Sequence, residues 1–278
     1  MHRPQNAERK DYLPRAETYP LQQAYHNVNL PQKGKIVAQL KHSAAAEKEI
    51  DLSEKNISDS QLQMLFAICH PAIPVEAQIG LSLRILCGFG IEEIANAFLT
   101  SKETINKRLT RAREKLREEK ISIEVPGKTE INQRLDPVLR TLYLLFNEGY
   151  YSESHDEVLR EDLCREAMRL TGLLLENKET NLPEANALMA LMCFHASRFA
   201  ARKNDRGEIV LYEDQNESLW NRELITKGAW YFKQSSGGNR ISKYHLEAGI
   251  AWWHTIKEGT KEKWENILQL YNQLLQIE

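Results

Sequence analysis

The sequence lacks the features that mark secreted and membrane proteins. No apolar run approaches the roughly 20 residues that a membrane-spanning helix needs. The first twelve residues, MHRPQNAERKDY, contain no apolar stretch of the kind that a secretion signal requires. These absences predict a cytoplasmic protein with no membrane partner.

Cysteine is scarce, and histidines do not gather at metal-ligand spacing. The four cysteines form no Cys-x-x-Cys pair and each lies in an apolar helical context, which predicts buried reduced thiols. His245 and His254 are nine positions apart, which is about 900° around a helix, so they point to opposite sides. The sequence therefore predicts no metal site.

Motifs of catalysis and cofactor binding are also missing. The sequence shows no phosphate-binding glycine loop and no Ser-His-Asp arrangement. The acidic stretch FNEGYYSESHDE is interpreted as a polar loop between helices rather than an acid–base pair; its carboxylates are Glu148, Glu153, Asp156 and Glu157. We predict that the chain is not an enzyme and holds no cofactor.

The pattern of apolar residues predicts an all-α fold in two domains. Residues 1–55 form a proline-interrupted leader, and residues 56–122 form a compact domain of four helices. A linker at 123–130, marked by Pro126-Gly127, leads to a larger helical domain at 131–278 whose helix pairs are similar in shape to a tetratricopeptide array. One hairpin is predicted, turning at Asp205-Arg206-Gly207.

Basic residues concentrate between Gly90 and Lys120 although the whole chain has a formal net charge of only -2. Two helices with apolar inner faces fit this stretch, separated by Leu99-Thr100-Ser101. The inner residues are Ile91, Ile94, Ala95 and Phe98 on the first helix, then Ile105, Leu109, Ala112 and Leu116 on the second. Either Thr100, in a capping box with Glu103, or Ser101 caps the second helix.

Hydrogen-bond donors and cations dominate the outward face of the second helix. Arginine, lysine and asparagine side chains can address guanine and adenine edges in a major groove, whereas Arg113, Lys115 and Arg117 lie further along and suit phosphate. A solvated helix balanced by Glu114, Glu118 and Glu119 is the alternative. The capped helix–break–helix pattern favours DNA binding.

The string EEIANAFLTSKETINKRLTRAREKL resembles region four of bacterial extracytoplasmic-function (ECF) sigma factors. Downstream strings resemble the helical extension of the subfamily with a large C-terminal domain, and the resemblance runs from about Ser58 to the C-terminus. These strings are YLLFNEGY, LCREAMRLTGLLLEN, LPEANALMALMCFHASRFAAR, EIVLYEDQNESLWNRELI and YHLEAGIAWWH. The sequence departs from general region-four sequences at Leu99 and Glu103, where those often have glycine.

The resemblance implies a transcription initiation protein with two partners, promoter DNA and core RNA polymerase. It implies that the promoter element is faced by Lys102, Glu103, Thr104, Lys107, Arg108 and Arg111. It also implies that polymerase docks on an outer apolar surface around Leu65, Ile68 and Ile73. An intact sigma region two is not expected in residues 1–55, and the extension is expected to be shorter than in the family. The alternative function is a helical protein-interaction or ligand-sensing module with a degenerate helix-turn-helix.

Overall fold

A computed structural model describes residues 59–121, 126–151, 159–204 and 206–277 of the chain. Within these ranges the secondary structure is helical, which confirms the predicted all-α class. The predicted leader at 1–55 lies outside the described residues, as do Glu153, Asp156 and Glu157 of the acidic stretch.

Four helices occupy the first described range. They are α1 (Ser60–Ile68), α2 (Val75–Ile85), α3 (Ile91–Ala97) and α4 (Lys102–Glu118). The carboxylate of Asp59 starts α1, because it accepts hydrogen bonds from the backbone N–H groups of Gln61 and Leu62, both at 3.0 Å. Pro74 starts α2 after the Pro71–Pro74 break.

Six further helices follow. They are α5 (Lys128–Tyr150), α6 (Glu161–Glu176), α7 (Pro183–Ala196), α8 (Arg222–Ser235), α9 (Lys243–Trp253) and α10 (Lys261–Ile277). The predicted linker at 123–130 overlaps α5, which already begins at Lys128 behind Gly127 as its N-cap. Residues 122–125 lie outside the described ranges.

The predicted hairpin is wrong as a two-stranded element. The described residues contain a single antiparallel bridge between Lys203 and Ile209, and Tyr212–Asp214 is a turn of 3-10 helix. The side chains of Ile209 and Leu211 are 45% and 70% exposed, so the apolar run that suggested a strand packs against no sheet.

The centre of the extension is α7, which is apolar around its whole circumference. Eleven of its 14 residues are buried, as expected for a helix surrounded by neighbours. It contacts α5, α6, α8 and α9. A Cβ atom at Gly228 of α8 would lie 2.7 Å from a ring atom of Phe194, so this close crossing requires glycine.

One continuous buried cluster joins the first four helices to the extension. Helix α5 contacts both α1 and α2. Arg134 of α5 is 5% exposed and donates to the carbonyl oxygen of Phe66 at 3.1 Å and to Glu130 at 2.7 Å. On the surface, Arg169 pairs with Asp59 at 2.8 Å. The two regions therefore share a core.

The prediction of buried reduced thiols is confirmed. All four cysteines, Cys69, Cys87, Cys164 and Cys193, are buried and free. Burial raises the pKa of the Cys69 thiol to about 12, which keeps the thiol protonated and unreactive near neutral pH.

Candidate nucleic-acid interface

Helix α4 is held in place by one narrow apolar stripe. Ile105, Leu109 and Ala112 are 0%, 1% and 4% exposed, which confirms the inner face that the sequence pattern predicts. The helix lies close against α2, because a Cβ atom at Gly80 would be 3.0 Å from a Leu109 methyl carbon. The remaining circumference of α4 is available to solvent or a partner.

The break between α3 and α4 is a tight reversal with a left-handed residue. Leu99 has φ 51°, and its N–H donates to the carbonyl oxygen of Asn96 while the N–H of Thr100 donates to that of Ala95. These two bonds form a Schellman motif, which usually has glycine at the left-handed position. The left-handed conformation strains the backbone at Leu99, and its side chain is 68% exposed.

Ser101 caps the start of α4. Its hydroxyl accepts a hydrogen bond from the N–H of Thr104 at 3.1 Å, and the two hydroxyls lie 2.9 Å apart. The alternative capping box between Thr100 and Glu103 is wrong, because the Glu103 carboxylate instead pairs with Lys107 at 2.6 Å.

The exposed part of α4 is strongly cationic. The helix carries seven basic and three acidic side chains, a net charge of +4. Its three lysines are all paired: Lys102 with Glu92 at 2.7 Å, Lys107 with Glu103 at 2.6 Å and Lys115 with Glu119 at 3.7 Å. All three pairs are exposed, and such pairs contribute only about 0–1 kcal/mol, so a phosphate can displace any of these carboxylates.

The arginines of α4 are less engaged than its lysines. Among the described residues neither Arg108 nor Arg111 is paired with a carboxylate. Arg108 is half-buried, with its guanidinium 5.6 Å from the ring centroid of Phe98, whereas Arg111 is exposed. Of the residues predicted to face DNA, the other four are also exposed: Lys102, Glu103, Thr104 and Lys107.

The predicted outer surface for polymerase docking is wrong. Leu65, Ile68 and Ile73 are 2%, 3% and 2% exposed. They belong to the continuous core, because α5 and α2 both contact α1. Leu65 and Ile68 on α1 and Ile73 in the segment before α2 therefore point into the protein.

Two buried carboxylates at the junction of the regions were not predicted as a pair. Burial raises the pKa of Glu148 on α5 to about 8, and the nearby Glu93 raises it further. Burial likewise raises the pKa of Glu93 on α3 to about 7, opposed by its hydrogen bond from the N–H of Gly90. The sequence signal for Glu93 was its place three residues after Gly90, where a glutamate side chain often accepts a hydrogen bond from the N–H of the N-cap residue.

The sequence also gave no indication of a cavity in the extension. It lies among α5, α7, α9 and α10 and is lined by Arg198, Arg202 and His195 together with aromatic and aliphatic side chains. In the parts of the chain that the structure describes, no helix is long and apolar enough to cross a bilayer, and no cluster of histidine, cysteine and carboxylate side chains has metal-binding geometry.

Comparisons with known proteins divide the chain in a similar way. Residues 43–122 match the family described as ECF sigma factor, and residues 134–236 match the Family of unknown function (DUF6596). Uncharacterized protein R00370 of Rhizobium meliloti (strain 1021) is 35% identical over 237 residues. That alignment covers 84% of this chain and 56% of the relative, so the chain spans about half the length of the curated relative it matches.

No solved structure matches the chain significantly. The ECF match contains α1 to α4, and the second match contains α6 and α7 together with most of α5 and all of α8. Residues 43–122 are therefore similar to the ECF sigma factors, and a helical segment similar to DUF6596 follows them at residues 134–236.

Proposed function

We propose that the chain is a sigma-factor-like transcription initiation protein. In this proposal α3 and α4 act as a helix-turn-helix that binds the upstream promoter element, and the protein associates with core RNA polymerase in the cytoplasm. Its mechanism is recruitment and positioning of polymerase, without covalent chemistry of its own. The match of residues 43–122 to the ECF sigma factors supports both partners.

The observation that carries the proposal is the contrast between the two sides of α4. Three side chains on one side are at most 4% exposed, and the rest of the helix has a net charge of +4 facing outward. A rigid helix with an open cationic surface fits a major groove, where long-range attraction to phosphates adds affinity.

Positions along α4 divide the proposed contacts. Thr104, Lys107, Arg108 and Arg111 follow each other along one side of its first half, where base edges are read in helix-turn-helix proteins. Arg113, Lys115 and Arg117 are exposed in its second half and suit the sugar–phosphate backbone. When Arg108 contacts DNA, its guanidinium either moves away from the Phe98 ring or remains over it.

The test is binding of fluorescent duplex DNA, enriched from a random library in the presence of core polymerase and this protein. The variant Arg108→Glu with Arg111→Glu is expected to lose at least about tenfold in affinity, since two cationic contacts become repulsive. The control, Arg206→Glu with Arg240→Glu, changes net charge equally at exposed sites in the extension. Equal affinity of both variants would contradict the proposal.

The alternative function, a ligand-sensing or protein-interaction module that no longer reads DNA, draws support from the cavity in the extension. Retention of polymerase by the parent protein, with no DNA affinity even at low salt, would favour it. The uncovered cationic face of α4 favours the sigma-factor function, because a degenerate motif has no need to keep that face clear.

A further inference from the structure

The cavity in the extension has the size and lining of a small-molecule site. Its volume is about 310 Å³, at the lower end of the range for such sites. Its apolar walls come from four different helices: Leu191 of α7, Ile250 of α9, Tyr271 and Leu274 of α10, and Tyr150 of α5. None of these residues belongs to the proposed DNA-binding face.

Two arginines that follow the C-terminus of α7 line this cavity, and both are almost fully buried. Arg198 is 7% exposed and Arg202 is 9% exposed. Neither is paired with a carboxylate among the described residues. Burying a guanidinium without a negative partner costs free energy. Packing alone therefore does not account for two buried arginines at this cavity.

The protein partners of these arginines are aromatic. Arg198 donates to the Tyr150 hydroxyl at 3.1 Å, and its Nε atom is buried with no hydrogen-bond partner among the described residues. The guanidinium of Arg202 lies 3.9 Å from the ring centroid of Tyr150. Two longer cation–π contacts join Arg198 to Tyr212 at 5.5 Å and Arg202 to Tyr151 at 5.6 Å. These contacts and one hydroxyl leave most of the ten N–H donors of the two guanidinium groups without a hydrogen-bond partner among the described residues.

Neither the histidine nor the carboxylate of the lining forms an ion pair with Arg198 or Arg202 among the described residues. Burial lowers the pKa of His195 well below its usual range, with further lowering by Arg198 and Arg202, so the ring is neutral. Its buried Nδ1 atom also has no partner in the described part of the chain. Glu247, the carboxylate in the lining, accepts a hydrogen bond from the Tyr143 hydroxyl at 3.0 Å.

We propose that this cavity binds a small organic anion, a carboxylate or phosphate monoester attached to a flat apolar body. Guanidinium groups bind both kinds of anion through paired N–H donors. The anion would face Arg198 and Arg202, and the apolar body would lie against Leu191, Ile250 and Tyr271. The proposal is independent of DNA binding, because the cavity lies in the extension.

The experiment is isothermal titration calorimetry of the full chain with three probes that share a phenyl ring. Phenyl phosphate and benzoate carry the two kinds of anion, and benzyl alcohol is the neutral control. We expect saturable one-to-one binding of at least one anion. Benzyl alcohol should bind at least about tenfold more weakly, because it has no negative charge to pair with the guanidinium groups. The stronger of the two anions identifies the head group.

Three variants locate the site. Arg198→Gln and Arg202→Gln should each weaken anion binding about tenfold or more, whereas Arg240→Gln, an exposed arginine in the same region, should leave it unchanged. Asn147→Phe fills the cavity from a half-buried position and keeps both arginines. It should abolish binding, and circular dichroism melting confirms that each variant is folded.

The proposal is overturned if neither anion binds the folded parent protein at about 10 mM, which corresponds to a negligible affinity. It is equally overturned if benzyl alcohol binds as tightly as the anions, or if folded Asn147→Phe protein binds them unchanged. That last result would place any binding on surface charge outside the cavity.

Discussion

Arginines occupy opposite environments in the two regions of this protein. On α4 they project from a helix anchored by one apolar stripe, and Arg111 is exposed to solvent. In the extension, Arg198 and Arg202 are at least nine-tenths buried beside a cavity. An exposed cation has no desolvation cost and can contact a polymer such as DNA, whereas a buried cation requires a partner that fits inside the protein.

The difference also shows what anchors each arrangement. The cationic face of α4 is positioned by three buried side chains on the inner face of that helix. The buried arginines are positioned by several helices that line the cavity. Local changes should therefore damage the first arrangement more selectively than the second.

The largest effect is expected at the anchor of α4. Leu109→Ala removes a side chain that is 1% exposed and contacts α2 at Gly80, and such deletions destabilise by about 2–5 kcal/mol. Urea unfolding measures the loss. Leu99→Ala is the matched control, because that leucine is 68% exposed, and a loss as large as that of Leu109→Ala would show that α4 is not held by this stripe.

The next effect concerns the buried carboxylate between the regions. The folded pKa of Glu148 is about 8, above its usual value of 4.5, so the folded state keeps a proton that the unfolded state releases. The contribution of this carboxyl to the free energy of unfolding should therefore be fully present below pH 4.5 and be lost as pH rises through about 8. Glu148→Gln should flatten this fall and stabilise the protein at alkaline pH by a few kilocalories per mole.

The measurement is chemical denaturation at a series of pH values. The exposed Glu118→Gln on α4 is the control and should retain the pH dependence of the parent. A Glu148→Gln variant with the same pH dependence of stability as the parent would show that the carboxylate is not held protonated.

A smaller effect is expected at the contact that joins the regions. Arg134→Met removes the donor that the Phe66 carbonyl oxygen accepts from at 3.1 Å, and an unsatisfied buried acceptor costs about 1–3 kcal/mol. Glu130→Gln removes only the half-exposed partner of the same arginine and should cost under about 1 kcal/mol. Equal losses in both variants would indicate that the ion pair, not the joint to α1, matters.

The smallest effect is a gain in stability at the break before α4. Leu99 has φ 51°, and a left-handed conformation costs a non-glycine residue about 1–2 kcal/mol. Leu99→Gly should stabilise by about 0.5–1 kcal/mol once the greater entropy of unfolded glycine is included. Ala97→Gly, at the last residue of α3, should instead destabilise by up to about 1 kcal/mol. Thermal melting distinguishes the two signs.

The parts of the fold that follow local rules were predictable from the sequence. The spacing of Ile105, Leu109 and Ala112 predicted which side of α4 faces inward, and the structure buries those three residues. Ser101 was one of the two candidate caps, and it does start α4. Each of these features is decided by residues within one helical turn of each other.

Features that depend on distant packing were not predictable. The sequence could not show that α5 covers α1, and so Leu65, Ile68 and Ile73 were wrongly placed on an outer surface. Arg198 and Arg202 belong to a basic stretch that resembles a solvated helix end, yet α7 stops at Ala196 and the chain turns inward against α5 and α10. Their burial is a property of several helices together.

The most direct test of the central claim, that the open face of α4 contacts DNA, is the salt dependence of DNA binding by the full chain with core polymerase. Arg113→Gln, at an exposed position assigned to the sugar–phosphate backbone, should reduce the slope of the logarithm of affinity against the logarithm of salt concentration by about one, because one phosphate contact is lost. Arg240→Gln should leave the slope unchanged. An Arg113→Gln complex with both the affinity and the slope of the parent would contradict the account.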